Sequence, residues 1–245
     1  MLYYKKLDFS EDLYVLHNIK AIIFDLDGTL ADTLPEIREG ANNARAELGL
    51  PPVSLECIRR GINSGVRHLV RTSIIDSARA DDEEHIDDMQ RRYVAAYGRV
   101  FQKTEKPYSG LTEAISELRR RGFKLAVLSN KPDGFVRVLA QNLFGSGAFV
   151  TARGPLDGGP RKPDAALTLE VLHEIDPSLA PNECAFVGDS NVDVETAKNA
   201  GMYSVGVSWG YRGREFLEKY SPDEIIDSPD ELLKIFDSCV DNSLI

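Results

Sequence analysis

The sequence predicts an α/β fold, a doubly wound, Rossmann-like parallel sheet with an inserted all-helical unit, and three observations support this. Short uninterrupted apolar runs stop abruptly at polar clusters, helix-period stretches alternate with them, and one long stretch after the first run carries helical periodicity alone.

The first strand is Lys20-Ala21-Ile22-Ile23-Phe24, which ends in Asp25-Leu26-Asp27-Gly28-Thr29. Three further runs have the same character: Lys124 to Leu128 before Ser129-Asn130, Cys184 to Val187 before Gly188-Asp189, and Met202 to Val207. Helices are expected over Leu111 to Arg121, stopped by Gly122, and over Pro132 to Asn142, with proline in the first turn. Two more are expected over Ala165 to Ile175, following Pro163-Asp164, and over Val192 to Ala200, stopped by Gly201. In such a sheet, polar residues just past the strand C-termini gather along one edge.

From Leu34 to Pro107 the alternation fails. Helices are expected over Pro35 to Leu48, Leu55 to Arg60, Val66 to Ile75 and Glu83 to Tyr97, with no apolar strand between them. Residues 34–107 therefore read as a mobile helical cap, and 1–33 with 108–245 as the core. Lys103 to Gly110, with Pro107 and Gly110, is the return linker. The leader from Met1 to Asn18 includes Tyr3, Tyr4, Phe9, Leu13 and Tyr14, enough apolar content to expect docking on the domain.

A hydrophobic share of 42% is ordinary for a chain that buries a continuous core, so disorder is not expected. The net charge of -10 repels nucleic acid and anionic lipid, and neither is an expected partner. A small anionic substrate would need local cations. Cys57, Cys184 and Cys239 are scattered and odd in number, which suggests free thiols in a reducing, cytoplasmic setting. No run approaches a membrane span or a signal-peptide core, and the four histidines lack zinc-site spacing.

Phosphate monoesters resist hydrolysis, so their enzymes need a nucleophile, a proton donor for the leaving oxygen and cations for the phosphoryl charge. Asp25 is a carboxylate nucleophile candidate, and Asp27, two residues on, could flank the same bond. Gly28 lets the backbone approach closely. Taken alone, Asp-x-Asp-Gly reads equally well as a capped turn with solvated carboxylates.

The distant matches shift that balance. Asp25-Leu26-Asp27-Gly28-Thr29-Leu30, Ser129-Asn130, Lys162-Pro163-Asp164 and Gly188-Asp189-Ser190-Asn191-Val192-Asp193 resemble, in order and strand context, the four motifs of the haloacid dehalogenase superfamily. The resemblance spans Ile19 to Phe236, and the helical stretch looks like that superfamily's C1-type cap. It implies that Asp25 forms an aspartyl-phosphate and that Asp27 protonates the leaving alkoxide and later deprotonates water. Ser129, the Asn130 amide, Gly28 and Thr29 would then surround the phosphate, and Lys162 would neutralise Asp25 and the transferring group. Mg²⁺ would take the Asp25 side chain, the Asp27 carbonyl and Asp189, with Asp193 steadying bound water or Lys162. Helix capping by Ser129 or Asp193 is compatible with these roles.

Asp27 favours phosphoryl chemistry over dehalogenation, which needs no acid there. Phosphomutases share both aspartates, so phosphatase against mutase stays open. Arg59 to Val70 and Trp209-Gly210-Tyr211-Arg212-Gly213 look like the cap and tail segments of phosphoglycolate phosphatases. On that resemblance Gly65 would let a cap turn approach substrate and Arg67 would pair with a substrate carboxylate. The leading expectation is a phosphatase for a small phosphorylated acid, acting as monomer or homodimer. Pyrophosphatase, sugar phosphatase and β-phosphoglucomutase-like readings remain, with a non-catalytic phosphometabolite-binding or interaction module as the remote alternative. Ala165, where many relatives carry a second proline, and the leader are the departures from the pattern.

Overall fold

Ala21–Phe24 form β1, and all four residues are buried, as a strand covered on both faces requires. β1 pairs in parallel with β2 (Lys124–Leu128) on one side and with β4 (Cys184–Gly188) on the other. β3 (Thr151–Arg153) extends the sheet beyond β2, while β5 (Tyr203–Val207) and β6 (Glu224–Ile226) extend it beyond β4. The six strands follow the order β3-β2-β1-β4-β5-β6. The structure is a computed structural model and describes residues 18–237. The docking expected of Met1 to Asn18 falls almost wholly on residues 1–17, which lie outside the described residues, as does Cys239.

Strand side chains alternate between two cores. Ile22 and Phe24 join the cluster on one face, and Ala21 and Ile23 join the other. The chain leaves β1 first toward β2 and later toward β4, so the direction of winding reverses at β1. Ligand crevices of doubly wound sheets open at such a reversal, beyond the strand C-termini. Asp25, Ser129 and Asp189 directly follow β1, β2 and β4.

The insert after β1 contains four α-helices: α1 (Leu34–Glu47), α2 (Leu55–Gly61), α3 (Val66–Ser73) and α4 (Glu83–Tyr97). Pro35 opens α1, Ser54 Oγ accepts the Cys57 N–H to cap α2, and Asp82 caps α4 through the Glu84 and His85 amides. The insert is pinned internally by Arg45, which is 0% exposed. Its Nε donates to the Pro51 carbonyl at 2.6 Å, its Nη1 donates to the Ser73 carbonyl, and its Nη2 pairs with Asp76 Oδ2 at 2.8 Å. One guanidinium thus ties α1 to the loop before α2 and to the end of α3. Gly40 lets α1 press on α4, because a Cβ there would stand 3.0 Å from the Tyr97 Cα.

After the insert come α5 (Leu111–Arg120), α6 (Asp133–Phe144), α7 (Ala165–Ile175), α8 (Asn191–Ala200), α9 (Arg214–Leu217) and α10 (Pro229–Ile235). The expected helices are present with shifted ends. Pro132 is the N-cap of α6 rather than part of its first turn, because its ψ of 136 is extended. Ala165 begins α7 directly behind Asp164, whose side chain accepts the Ala166 N–H. β3, β6, α9 and α10 lie beyond the sequence expectations. Both of those strands have only three residues and sit at the sheet edges, too short and too exposed for an apolar run.

Candidate active site

Asp25 leaves β1 with its N–H still donating to the Val187 carbonyl of β4 at 2.9 Å, so the ladder fixes its position. The side chain is 3% exposed. Lys162 comes from the turn before α7 and is equally buried. Its Nζ lies 2.8 Å from Asp25 Oδ1 and 2.7 Å from Asp193 Oδ1. Asp193, in the first turn of α8, uses its other oxygen to accept the Ser190 N–H at 3.0 Å and the Ser190 hydroxyl at 2.7 Å. Gly188 makes room for it, since a Cβ there would stand 2.2 Å from the Asp193 carboxyl carbon.

Asp189 is 0% exposed. Its Oδ2 accepts the Tyr211 N–H at 2.7 Å, while its Oδ1 is buried with no hydrogen-bond partner. Gly28 and Gly210 form its seat: a Cβ on Gly28 would meet Asp189 Oδ2 at 2.5 Å, and one on Gly210 would meet the Asp189 Cβ at 2.2 Å. Gly28 has φ +85, a conformation glycine adopts freely. One carboxylate oxygen from each of Asp25, Asp189 and Asp193 lies within 4.8 Å of the other two.

Burial pushes the Asp25 carboxyl up to about 7; Lys162 pulls the other way, and Asp193 and Asp27 add to the rise. Burial, then Asp193 and Asp25, hold Asp189 well above the usual carboxylate range. Lys162 runs opposite: burial alone would lower it, but Asp193 and Asp25 raise it above its ordinary value, so it remains an ammonium. The aspartates therefore crowd together at a cost that a further cation would relieve. The orphaned Asp189 oxygen, together with this oxygen-only donor set, fits a hard divalent cation such as Mg²⁺.

Asp27 stands on the side facing the insert. Its Oδ1 accepts the Thr33 hydroxyl at 2.5 Å and lies 3.0 Å from Lys131 Nζ. Thr33 is held in turn by Tyr211, whose hydroxyl accepts the Thr33 N–H at 2.9 Å. The loop after β5 therefore braces both Asp27 and Asp189, with Trp209 Nε1 also donating to the Thr29 carbonyl at 3.1 Å.

A cavity opens above these groups. Asp25, Asp27, Ser129, Asn130, Lys131 and Lys162 form its floor, and the insert supplies an apolar roof that includes Ile37, Val66, Leu69, Tyr93 and Tyr97. Asn130 fastens the two parts. Its Nδ2 donates to the Lys162 and Asn63 carbonyls, each at 2.8 Å, and its Oδ1 accepts the Lys162 N–H at 2.9 Å.

The structure thus brings Asp25, Asp27, Ser129, Asn130, Lys162, Asp189 and Asp193 to one edge. It does not bring Arg67 there. Arg67 pairs with Glu83 and, at 2.6 Å, with Asp87, and it does not line the cavity. The correction has a simple cause: α3 turns Val66 and Leu69 inward, which directs position 67 toward the acidic face of α4. Gly28 and Thr29 do not line the cavity either. Gly28 seats Asp189, and the Thr29 hydroxyl is buried without a partner. Lys131, Tyr97 and Thr33 escaped the sequence reading, and Tyr211 entered it only as part of the tail segment Trp209 to Gly213, with no role assigned. Lys131 had a usable signal, since it follows Ser129-Asn130 at the end of a buried strand.

A doubly wound sheet whose switch point gathers a buried lysine and paired aspartates is the architecture of a hydrolase class. The pattern of haloacid dehalogenase-like hydrolases matches residues 19–201, and the chain belongs to that family. The phosphoglycolate phosphatase of Pseudomonas putida strain KT2440 is 32% identical over 225 residues, covering 91% of this chain and 80% of that protein. The phosphoglycolate phosphatase of Vibrio parahaemolyticus is 32% identical over 228 residues, with 89% and 96% covered. A crystal structure from Lactobacillus delbrueckii subsp. bulgaricus, provisionally named a phosphoglycolate phosphatase, superposes with a TM-score of 0.80 at 30% identity, covering 89% of this chain and 98% of that one. The chain is a phosphatase, similar to phosphoglycolate phosphatases, and its helical insert is the cap of that fold.

Proposed function

We propose that this phosphatase hydrolyses a small phosphorylated acid of the phosphoglycolate type, with Mg²⁺, through a phosphoryl group carried on Asp25. The observation that supports this best is the pairing of two aspartates with two buried lysines at one cavity: Asp25 with Lys162 at 2.8 Å, and Asp27 with Lys131 at 3.0 Å. Asp25, Asp189 and the Asp27 carbonyl would hold the cation, which would offset phosphoryl charge and the crowding of the carboxylates.

Asp25 attacks phosphorus with an oxygen that Lys162 orients, and the alkoxide leaves. Asp27 gives that oxygen its proton, then takes one from the water that cleaves the aspartyl-phosphate, so it ends in its starting state. Ser129 and the Asn130 amide face the phosphoryl oxygens from the end of β2. The apolar roof and the Asn130 fastening exclude bulk water during transfer.

A purified-enzyme screen over 2-phosphoglycolate, pyrophosphate, hexose phosphates and a sugar 1-phosphate, with and without Mg²⁺, tests the reading. Magnesium-dependent phosphate release strongest with phosphoglycolate is expected. Isomerisation of the sugar phosphate without phosphate release would overturn it.

A further inference from the structure

We infer that Lys131 and Asn63, rather than any cap arginine, receive the substrate's second anionic group, the carboxylate remote from the phosphoryl. The inference rests on the phosphorylated-acid reading above and extends it to the residues that read the acid.

Lys131 and Lys162 are the only cations lining the cavity among the described residues. Lys162 is already shared between Asp25 and Asp193. Lys131 is 6% exposed, lies 3.0 Å from Asp27 Oδ1 and donates to the Tyr97 hydroxyl at 2.8 Å. Its ammonium also sits 4.6 Å above the Tyr97 ring centre. An ammonium has three N–H donors, so at least one remains for a ligand. Asp27 offsets the cost of burying this ammonium, and the N–H that neither Asp27 nor Tyr97 takes is the one a ligand anion can accept.

Asn63 gives an independent pointer from the cap side. It has φ 80, unusual for a residue with a side chain, and lines the same cavity. Its carbonyl is taken by Asn130, but its Nδ2 is buried with no hydrogen-bond partner. A buried amide donor left unmade is a lasting penalty in a folded protein. Lys131 on the floor and Asn63 on the roof line the same cavity, and Asn63 Nδ2 has no protein partner. A carboxylate one or two carbons from the phosphoryl satisfies both, whereas a neutral alkyl group satisfies neither.

The test compares kcat/KM for 2-phosphoglycolate and for ethyl phosphate, its counterpart without the carboxylate, in the wild type, Lys131→Met and Asn63→Gly. Glycine suits φ 80, so the second variant removes the amide while keeping the backbone and covers the case in which Lys131→Met does not fold. The readout is the preference for phosphoglycolate, which is insensitive to a general loss of turnover. It is expected to fall by about 30-fold in Lys131→Met and about 10-fold in Asn63→Gly, the scale of hydrogen bonds to a charged group. A wild-type preference that survives within about 3-fold in both variants overturns the inference and leaves the phosphorylated-acid reading standing. A wild type that prefers neutral phosphates overturns both.

Discussion

Lys162 Nζ and Asp25 Oδ1 stand 2.8 Å apart, although 137 residues separate them in the chain. The contact forms because β1 delivers Asp25 to the switch point while the turn before α7 brings Lys162 to the same edge. Lys162→Met would leave Asp25 and Asp193 buried without their cation. Urea denaturation without added metal should show a loss of about 3–5 kcal/mol, as for other broken buried pairs. Turnover should vanish as well.

Metal binding should depend on pH through Asp25. Its carboxyl is raised from 3.8 to about 7 in the folded chain. A raised folded value means that this group's contribution to stability is fully present below about 3.8 and is lost as pH rises through about 7, where Asp25 ionises in the crowded site. A divalent cation competes with that proton. Added Mg²⁺ should therefore raise the Tm more at pH 8 than at pH 5.5, as differential scanning fluorimetry would show. An equal shift at both values would separate the cation from the carboxylates.

Gly28→Ala should weaken metal binding without removing any ligand. The new Cβ would lie 2.5 Å from Asp189 Oδ2, and φ +85 would strain the turn. Gly210 packs against the same carboxylate, a Cβ there standing 2.6 Å from Asp189 Oδ2, so Asp189 has little room to shift. Isothermal titration should show affinity for Mg²⁺ reduced by about 10-fold or more, the range seen when groups orienting metal ligands are lost.

Arg67→Ala should leave kcat/KM for phosphoglycolate within about 2-fold of wild type, since its partners Glu83 and Asp87 are exposed surface acids. A loss comparable to that of Lys131→Met would return Arg67 to the substrate.

The contrast between Arg67 and Asp25 shows what was legible in the sequence. Asp25, Ser129 and Asp189 each follow a buried parallel strand, and the fold itself sends such strand ends to one edge, so their meeting follows from pattern alone. Arg67 lies on a short helix whose rotation depends on how α3 packs against α4, which local periodicity does not set. Lys131 stayed hidden for another reason. Its meaning comes from Tyr97, 34 residues away on the last cap helix, and from Asp27, and neither pairing leaves a local signature. β3 and β6 were invisible because three-residue edge strands carry too little apolar sequence.

The most direct measurement is acid quenching of the enzyme during turnover of a good phosphate monoester, followed by mass spectrometry of the peptide containing Asp25. The peptide should carry one phosphoryl group, absent from Asp25→Asn, which should fold normally yet lose turnover by about 10³-fold or more. Undiminished turnover in Asp25→Asn, or a phosphoryl group trapped on another residue, would contradict the assignment of Asp25 as nucleophile.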